Sequence, residues 1–423
     1  MSPIAPPRGT HDLLPDEAPA WRWLHEAHAT LAGRFGYQLI DTPVFESTEL
    51  FARGVGSGTD IVDKEMYTFT DHKGRSLTLR PEGTAPVVRA VLGAHLEQRT
   101  RPVRVRYAMA MFRYDRPQDL RQRQFNQVGV ECIGERDPSY DAEVIELAWQ
   151  FMGELRIEGV VLQINSLGDR DDRLRYRDAL RAYYTPLRDS LCADCQRRLE
   201  VNPLRLLDCK KDARYVENAP LLGDHLSEAS RAYFAAVTSY LDGADIPYTR
   251  NQRLVRGLDY YADTAFEFWH TSLAGAQNAL GGGGRYDGLA EELGFPPTPG
   301  VGYALGVERL LRIAADRGVA PPPQPQAQLV ICTVGSGAAD HARQLARELR
   351  HRTSVITDFT DRKLDKKLRD AGRLGALLVL LVGLDEGLVL RNLQTREQQI
   401  IDDDSALDAV AQELRAALEE PVG

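Results

Sequence analysis

The sequence predicts an α+β domain interrupted by a helical stretch and followed by a separate, smaller α/β module. Three observations lead there. Two long strand-like segments, Val103–Tyr114 and Arg123–Ile133, are joined by a polar loop, most simply an antiparallel hairpin. Residues from about Asp169 to Asp245 lack strand alternation and read as mostly helical. Past the proline-rich stretch Ala320–Gln328, short apolar strands alternate with helices, the pattern of a mainly parallel sheet.

In chain order, Glu17–Phe35 carries Trp21, Leu24, His28, Leu31 and Phe35 at helical spacing. The strand Tyr37–Asp41 follows, then Thr42-Pro43-Val44-Phe45 and the hairpin. Inside the helical stretch, Arg173–Tyr184, Leu187–Leu199 and Leu226–Leu241 read as helices, and the β pattern resumes with Val255 and Phe266–Trp269. Val307, Leu310, Leu311 and Ala314 mark a buried helix face, with Glu308 and Arg312 an i, i+4 pair on a side that can be solvated. After the linker come strand Leu329–Val334, helix Ala338–Arg350 and strand Val355–Thr357. Helix Leu364–Leu374, strands Ala376–Val382 and Leu388–Leu393, and a helix near Ser405–Leu418 complete the module. The expected domains are 1–325 with an insertion at about 169–245, a linker at 319–328, and 329–423.

At 423 residues the chain exceeds one ordinary core, and 43% hydrophobic with 27% charged residues marks a soluble globular protein. The longest apolar run, Ala376–Val382, is far short of the ~20 residues of a membrane span. The opening Met1-Ser-Pro-Ile-Ala-Pro-Pro-Arg8 lacks a signal-peptide pattern, so a cytoplasmic protein without a membrane partner is expected. Five cysteines, odd in number and unevenly placed, argue against a disulfide framework. Cys192-Ala-Asp-Cys195 followed by Cys209 invites zinc, but a fourth ligand is missing at clean spacing: Lys210 and Lys211 follow, and His225 lies well downstream. Reduced, partly buried thiols are therefore expected, and no metal site is assigned.

The net charge of −9 argues against nonspecific nucleic-acid binding, yet the basic residues cluster. Arg99–Arg123 holds eight arginines against two acids, and Arg343–Arg373 holds ten Lys or Arg against five Asp or Glu. Two basic zones on an acidic protein suit a polyanion held at defined places, against the plainer reading of solvated faces.

Three stretches carry the chemistry: residues 112–131 (FRYDRPQDLRQRQFNQVGVE), 254–261 (LVRGLDYY) and 300–311 (GVGYALGVERLL). Strand alternation puts Phe125, Gln127, Gly129 and Glu131 on one face, with Val128, Val130 and Cys132 on the packed one. The first face offers an aromatic ring for a planar base and an amide and carboxylate for a polar ligand; the alternative is a solvent-facing surface. Arg113, Arg116, Arg121 and Arg123 crowd one hairpin and repel unless phosphates or carboxylates neutralise them. Arg309 follows Gly300, Gly302 and Gly306 into the first turn of a helix, an arrangement suited to phosphate. The Leu280–Leu289 run has four consecutive glycines but no Gly-Lys-Ser/Thr, so it is not a P-loop; it suits a backbone approached closely by a ligand. Together these segments point to a nucleotide-handling pocket assembled from distant parts of the chain.

Arg80-Pro-Glu-Gly-Thr84, the arginine hairpin, the Arg256 segment, the Gly-rich Arg285 segment and Gly306-Val-Glu-Arg309 occur in one order. In this the chain resembles the class II aminoacyl-tRNA synthetases, and within them the histidyl-tRNA synthetases, over nearly its whole length. The resemblance implies a six-stranded antiparallel catalytic sheet, a helical insertion near the tRNA acceptor arm and a C-terminal α/β anticodon-binding domain. It implies ATP-driven activation of L-histidine, with Mg2+ accompanying ATP, and transfer to histidine tRNA. Arg113, Arg256 and Arg309 are the implied catalytic residues. Arg113, Arg121, Arg123, Phe125 and Arg309 would bind ATP. Glu82, Gly83, Thr84, Arg113, Gln127, Glu131, Arg256, Tyr260 and Tyr261 would bind histidine. Arg116 and Gln118 would read the tRNA acceptor end, although the loop Pro117–Gln122 and Asn126 depart from the usual pattern. A homodimer joined around Tyr37–Phe45 is also implied. The alternative is a synthetase-like regulatory subunit of histidine biosynthesis without aminoacylation, a family that typically lacks the C-terminal domain.

Overall fold

The computed structural model describes residues 3–56, 59–207, 209, 211–255, 257–273, 278–319, 321, 327–335 and 337–419. Arg256 and most of the proline-rich stretch lie outside them. The chain forms two compact units, Met1–Pro321 and Pro322–Gly423.

The first unit contains strands β1 (Gln38–Leu39), β2 (Phe45–Ser47), β3 (Thr68–Thr70), β4 (Ser76–Leu79), β5 (Val103–Phe112) and β6 (Gln124–Ile133). Then come β7 (Val160–Ser166), β8 (Tyr248–Arg250), β9 (Ala262–His270), β10 (Ala279–Arg285) and β11 (Gly300–Gly306). Eight of these make one sheet in the order β1-β5-β6-β11-β10-β9-β7-β8, and β2-β4-β3 form a small second sheet. The six strands from β5 to β7 are antiparallel throughout; the short edge strands β1 and β8 pair parallel to their neighbours and extend the expected six to eight.

One face of the sheet is closed by hydrocarbon. Val128, Val130, Val301, Tyr303, Leu305, Phe266, Phe268, Leu162 and Ile164 pack there with helices Ala18–Arg34, Pro138–Glu154, Glu228–Gly243 and Val307–Asp316. Asp137 caps the second of these, accepting from the Ser139 N–H at 2.9 Å with Pro138 in the first turn. Asp141 from that helix meets the fully buried Arg285 of β10 and accepts from Thr264 Oγ1 at 2.6 Å, so a buried charge pair locks helix to sheet. Arg285 therefore turns away from the ligand-facing surface its glycine-rich setting suggested.

The insertion is helical but differs in detail from the sequence reading. The expected helix Leu187–Leu199 is a 3-10 turn, Thr185–Ser190, and a separate helix, Ala193–Val201, because Cys192 adopts extended backbone angles between them. Val255 lies outside any strand, and β9 begins only at Ala262.

In the second unit, β12 (Leu329–Thr333), β13 (Val355–Asp358), β14 (Leu378–Leu384), β15 (Gly387–Asn392) and β16 (Gln398–Ile401) form a sheet ordered β13-β12-β14-β15-β16. The first three are parallel; β15 and β16 join antiparallel, and β16 escaped the sequence reading because its side chains are mostly exposed. Helices Ala339–Leu349 and Ala406–Glu419 cover one face, and Leu364–Arg373 covers the other. No helix among the described residues is long and apolar enough to cross a membrane.

Candidate active site

The second face of the large sheet carries the site, and strand register determines what stands there. Glu131 is paired with Val105 on one side and Gly302 on the other, and Gly302 with Gly284. One rung along, Tyr107, Gly129, Ala304, Gly282 and Glu267 follow in line; the next rung holds Met109, Gln127 and Gly306. The middle of this face is therefore nearly bare of side chains. A methyl group on Gly302 would overlap the Glu131 carboxylate, and one on Gly129 would overlap the Tyr107 ring. The glycines make room for polar groups in a layer that would otherwise be packed.

Glu131 stands at the foot of this space, 1% exposed, which excludes the solvent-facing alternative for its face. Its carboxylate accepts from Tyr286 Oη at 2.5 Å, Thr84 Oγ1 at 2.8 Å and Tyr107 Oη at 3.3 Å. Burial outweighs these three donors and pushes its pKa up to about 8. Glu82 is buried beside it, accepting from the backbone N–H of Thr84 at 2.7 Å and Ala85 at 3.0 Å, where helix Thr84–Gly93 begins. Tyr260 Oη also donates to Glu82, at 3.4 Å, and burial raises the carboxyl's pKa. Gly83 lies against the Tyr107 ring between these two groups. Tyr261 packs against Tyr260 with ring centroids 4.7 Å apart. Gln127 Oε1 is buried and lacks a hydrogen-bond partner, so it is open to a donor.

The arginines gather at the hairpin end of the same face. Arg113, one residue past β5, donates through Nε to the Pro81 carbonyl at 2.8 Å and lies 5.2 Å from the centre of the Phe125 ring. Burial lowers its pKa, opposed by the charges of Glu65 and Glu82. Arg309 bonds the Ala279 carbonyl; burial, then the charges of Arg121 and Arg113, lower its pKa. Arg113 and Arg309, from distant parts of the chain, thus converge on one place. Arg121 pairs with Asp115 and lies 3.9 Å from Glu65, and the Arg123 guanidinium lies 4.3 Å over Tyr114. The hairpin's mutual repulsion is therefore partly answered by its own acids. Arg116 and Gln118 are exposed in the connecting loop. Arg256 lies outside the described residues.

Glu308 differs from its expected solvated pairing with Arg312. It turns inward and accepts from Asn126 N at 2.8 Å and Nδ2 at 3.1 Å, while Arg312 meets Asp316 and Asp119. Tyr107 and Tyr286, which hold Glu131, were missed as site residues. The signal for Tyr107 was available, since alternation along β5 places it opposite Gly129.

Comparison with known proteins agrees with this geometry. The family model described as histidyl-tRNA synthetase matches residues 9–310, and an anticodon binding domain matches residues 328–413. A histidine–tRNA ligase of Dehalococcoides mccartyi is 45% identical over 402 residues, covering 93% of this chain and 96% of that protein. One from Halalkalibacterium halodurans is 48% identical, covering 93% and 94%. The crystal structure of apo S. aureus histidyl-tRNA synthetase superposes with a TM-score of 0.82 at 37% identity, over 96% of this chain and 99% of that one. With a class II fold, the arginine hairpin and a buried carboxylate on a glycine floor, the chain belongs to the histidyl-tRNA synthetase family.

Proposed function

We propose that the protein is a histidine–tRNA ligase that joins L-histidine to ATP as histidyl-adenylate, releasing pyrophosphate, and then esterifies the 3′ end of histidine tRNA. The observation that carries this reading is Glu131: a buried carboxylate with three hydroxyl donors, lodged where Gly302 has no side chain to exclude it. An apolar analogue would bring a hydrocarbon group against this buried polar cluster and gain no hydrogen bond from it, which penalises it relative to an imidazole. Glu131 and Tyr261 read the imidazole, with Tyr260 lining the pocket. Glu82, Thr84 and the unpartnered oxygen of Gln127 take the α-amino group beside Gly83.

In the first step a histidine carboxylate oxygen attacks the α-phosphorus, and the bond to the pyrophosphate oxygen breaks. Arg113 meets the α-phosphate, Arg309 clamps the nucleotide from the other side, and adenine stacks on the face of Phe125 that Arg113 leaves open. Fixed guanidiniums where charge builds up lower the barrier. Arg121 and Arg123 serve the γ-phosphate, and Arg256 serves the carboxylate and α-phosphate. Glu267, whose charge reaches Arg309, would offer a hard oxygen donor to Mg2+, which would supply neutralisation of the phosphate charge. In the second step the ribose 3′-OH attacks the activated carbonyl and AMP leaves, with Arg116 and Gln118 at the acceptor end.

In this reading 1–325 is the catalytic domain, with the helical insertion, and 329–423 reads the anticodon. A homodimer fits the exposed Leu39, Val44 and Phe45, which lie on or near the open edge formed by β1. The deciding assay is histidine-dependent exchange of pyrophosphate into ATP, followed by charging of histidine tRNA. Both are expected. Absence of exchange removes the reading, and exchange without charging leaves only the activating half.

A further inference from the structure

The insertion holds a cluster that the proposed reaction does not use. The Sγ atoms of Cys192, Cys195 and Cys209 and a carboxylate oxygen of Asp212 all lie within 4.8 Å of one another. In sequence they form two pairs, Cys192-Ala-Asp-Cys195 and Cys209-Lys-Lys-Asp212, each with two intervening residues. Asp212 is the fourth donor that a search confined to cysteine and histidine passes over. The first pair straddles the start of helix Ala193–Val201, and the second immediately precedes helix Ala213–Val216.

The spacing of the donors is diagnostic. A tetrahedral site with metal–sulfur bonds of about 2.3 Å has ligand atoms about 3.8 Å apart. Cys192 Sγ and Cys209 Sγ are 3.8 Å apart, and Cys209 Sγ is 3.8 Å from Asp212 Oδ2. A disulfide would need about 2.05 Å. Cys195 is fully buried and Asp212 nearly so, and the Asp212 carboxylate is oriented by the Cys192 N–H at 3.0 Å, as outer hydrogen bonds orient metal ligands. Three thiolates and a carboxylate select a borderline-soft cation over Mg2+ or Ca2+.

We propose that Cys192, Cys195, Cys209 and Asp212 bind one zinc ion that fastens the two ends of the segment 192–212 together. The loop so closed carries Asn202 and Arg205, which donate to Asp259 at 2.9 Å and 3.0 Å. Asp259 immediately precedes Tyr260 and Tyr261. The ion thereby steadies the segment that lines the amino acid pocket, a consequence that rests on the proposed function; metal binding itself does not.

The test uses the full chain purified without chelator, with metals counted by plasma mass spectrometry. About one zinc per chain is expected, falling at least tenfold in Cys195→Ser and unchanged in Cys332→Ser. Should Cys195→Ser fail to fold, cobalt added to the metal-stripped wild type supplies the second readout. Tetrahedral d–d bands with a thiolate charge-transfer band are expected, shifted in Asp212→Asn. Sub-stoichiometric metal, together with thiols whose reaction with a disulfide reagent is unaffected by added zinc, overturns the site. So does a Cys192–Cys209 disulfide found by mass spectrometry. Stripping the metal should also raise the KM for histidine in pyrophosphate exchange several-fold, with that for ATP little changed. Equal KM values would sink the link to Asp259 while leaving the metal count to stand or fall on its own.

Discussion

The two large sheets of this protein use similar chemistry to opposite ends. In the second unit both faces are hydrocarbon: Leu329, Ile331, Leu378 and Leu380 face one helical layer, and Val330, Cys332, Val379 and Leu381 face the other. Lys367, enclosed in this unit, is satisfied internally by the Thr333 carbonyl at 2.7 Å and the Asp358 carbonyl at 3.3 Å. In the first unit one face packs in the same way, while the other gives up packing to Gly129, Gly282, Gly284 and Gly302 and encloses carboxyls whose pKa values burial raises. A sheet closed on both faces can bind only with its outer surface. A sheet that leaves one face bare can enclose a small molecule, at the cost of keeping charges out of water.

The sharpest way to break this contrast is Arg113→Ala. Pyrophosphate exchange should fall by about 10²- to 10³-fold, the worth of one preorganised group at a developing charge, with the thermal transition little moved. A rate within threefold of the wild type would remove Arg113 from the chemistry. Leu380→Ala tests the other sheet. It should cost the second unit about 2–5 kcal/mol, lowering its unfolding transition and tRNA charging at elevated temperature. Exchange at low temperature should persist, and its loss would mean that the units are not separable in function.

A third test concerns protons. Glu131 holds its proton up to about pH 8 in the empty pocket, and free imidazole is protonated below roughly pH 6.5. A complex that shares one proton between them must shed a proton to form in acid and gain one to form in alkali. Histidine affinity, measured by calorimetry, should therefore peak between those values and fall about tenfold per pH unit outside them. Glu131→Gln should abolish the alkaline limb. A flat profile from pH 6.5 to 9 would show that Glu131 takes up no proton on binding in that range, against this scheme. The smallest effect is expected from Arg116→Ala, exposed on the hairpin loop: charging down about tenfold, as for one lost nucleic-acid contact, and exchange unchanged.

Much of this was legible because strands keep parity. The alternation that put Phe125, Gln127, Gly129 and Glu131 on one face holds in the structure, and Arg113 and Arg309, distant in sequence, lie near enough for the charge of the first to act on the second. What escaped depends on partners remote in sequence. Glu308 turns inward because Asn126, 182 residues earlier, offers it two donors. Arg285 is drawn to Asp141 across 144 residues. The break between Ser190 and Ala193 depends on the backbone angles of Cys192, which apolar spacing does not encode.

The glycines beneath Glu131 have a final implication. Room made by leaving atoms out can be crowded by nearly any substitution and enlarged by none, since glycine has nothing left to remove. Change in what this chamber accepts must then come from its polar rim, where Tyr107, Tyr286 and Thr84 each offer a hydroxyl that a single mutation can delete.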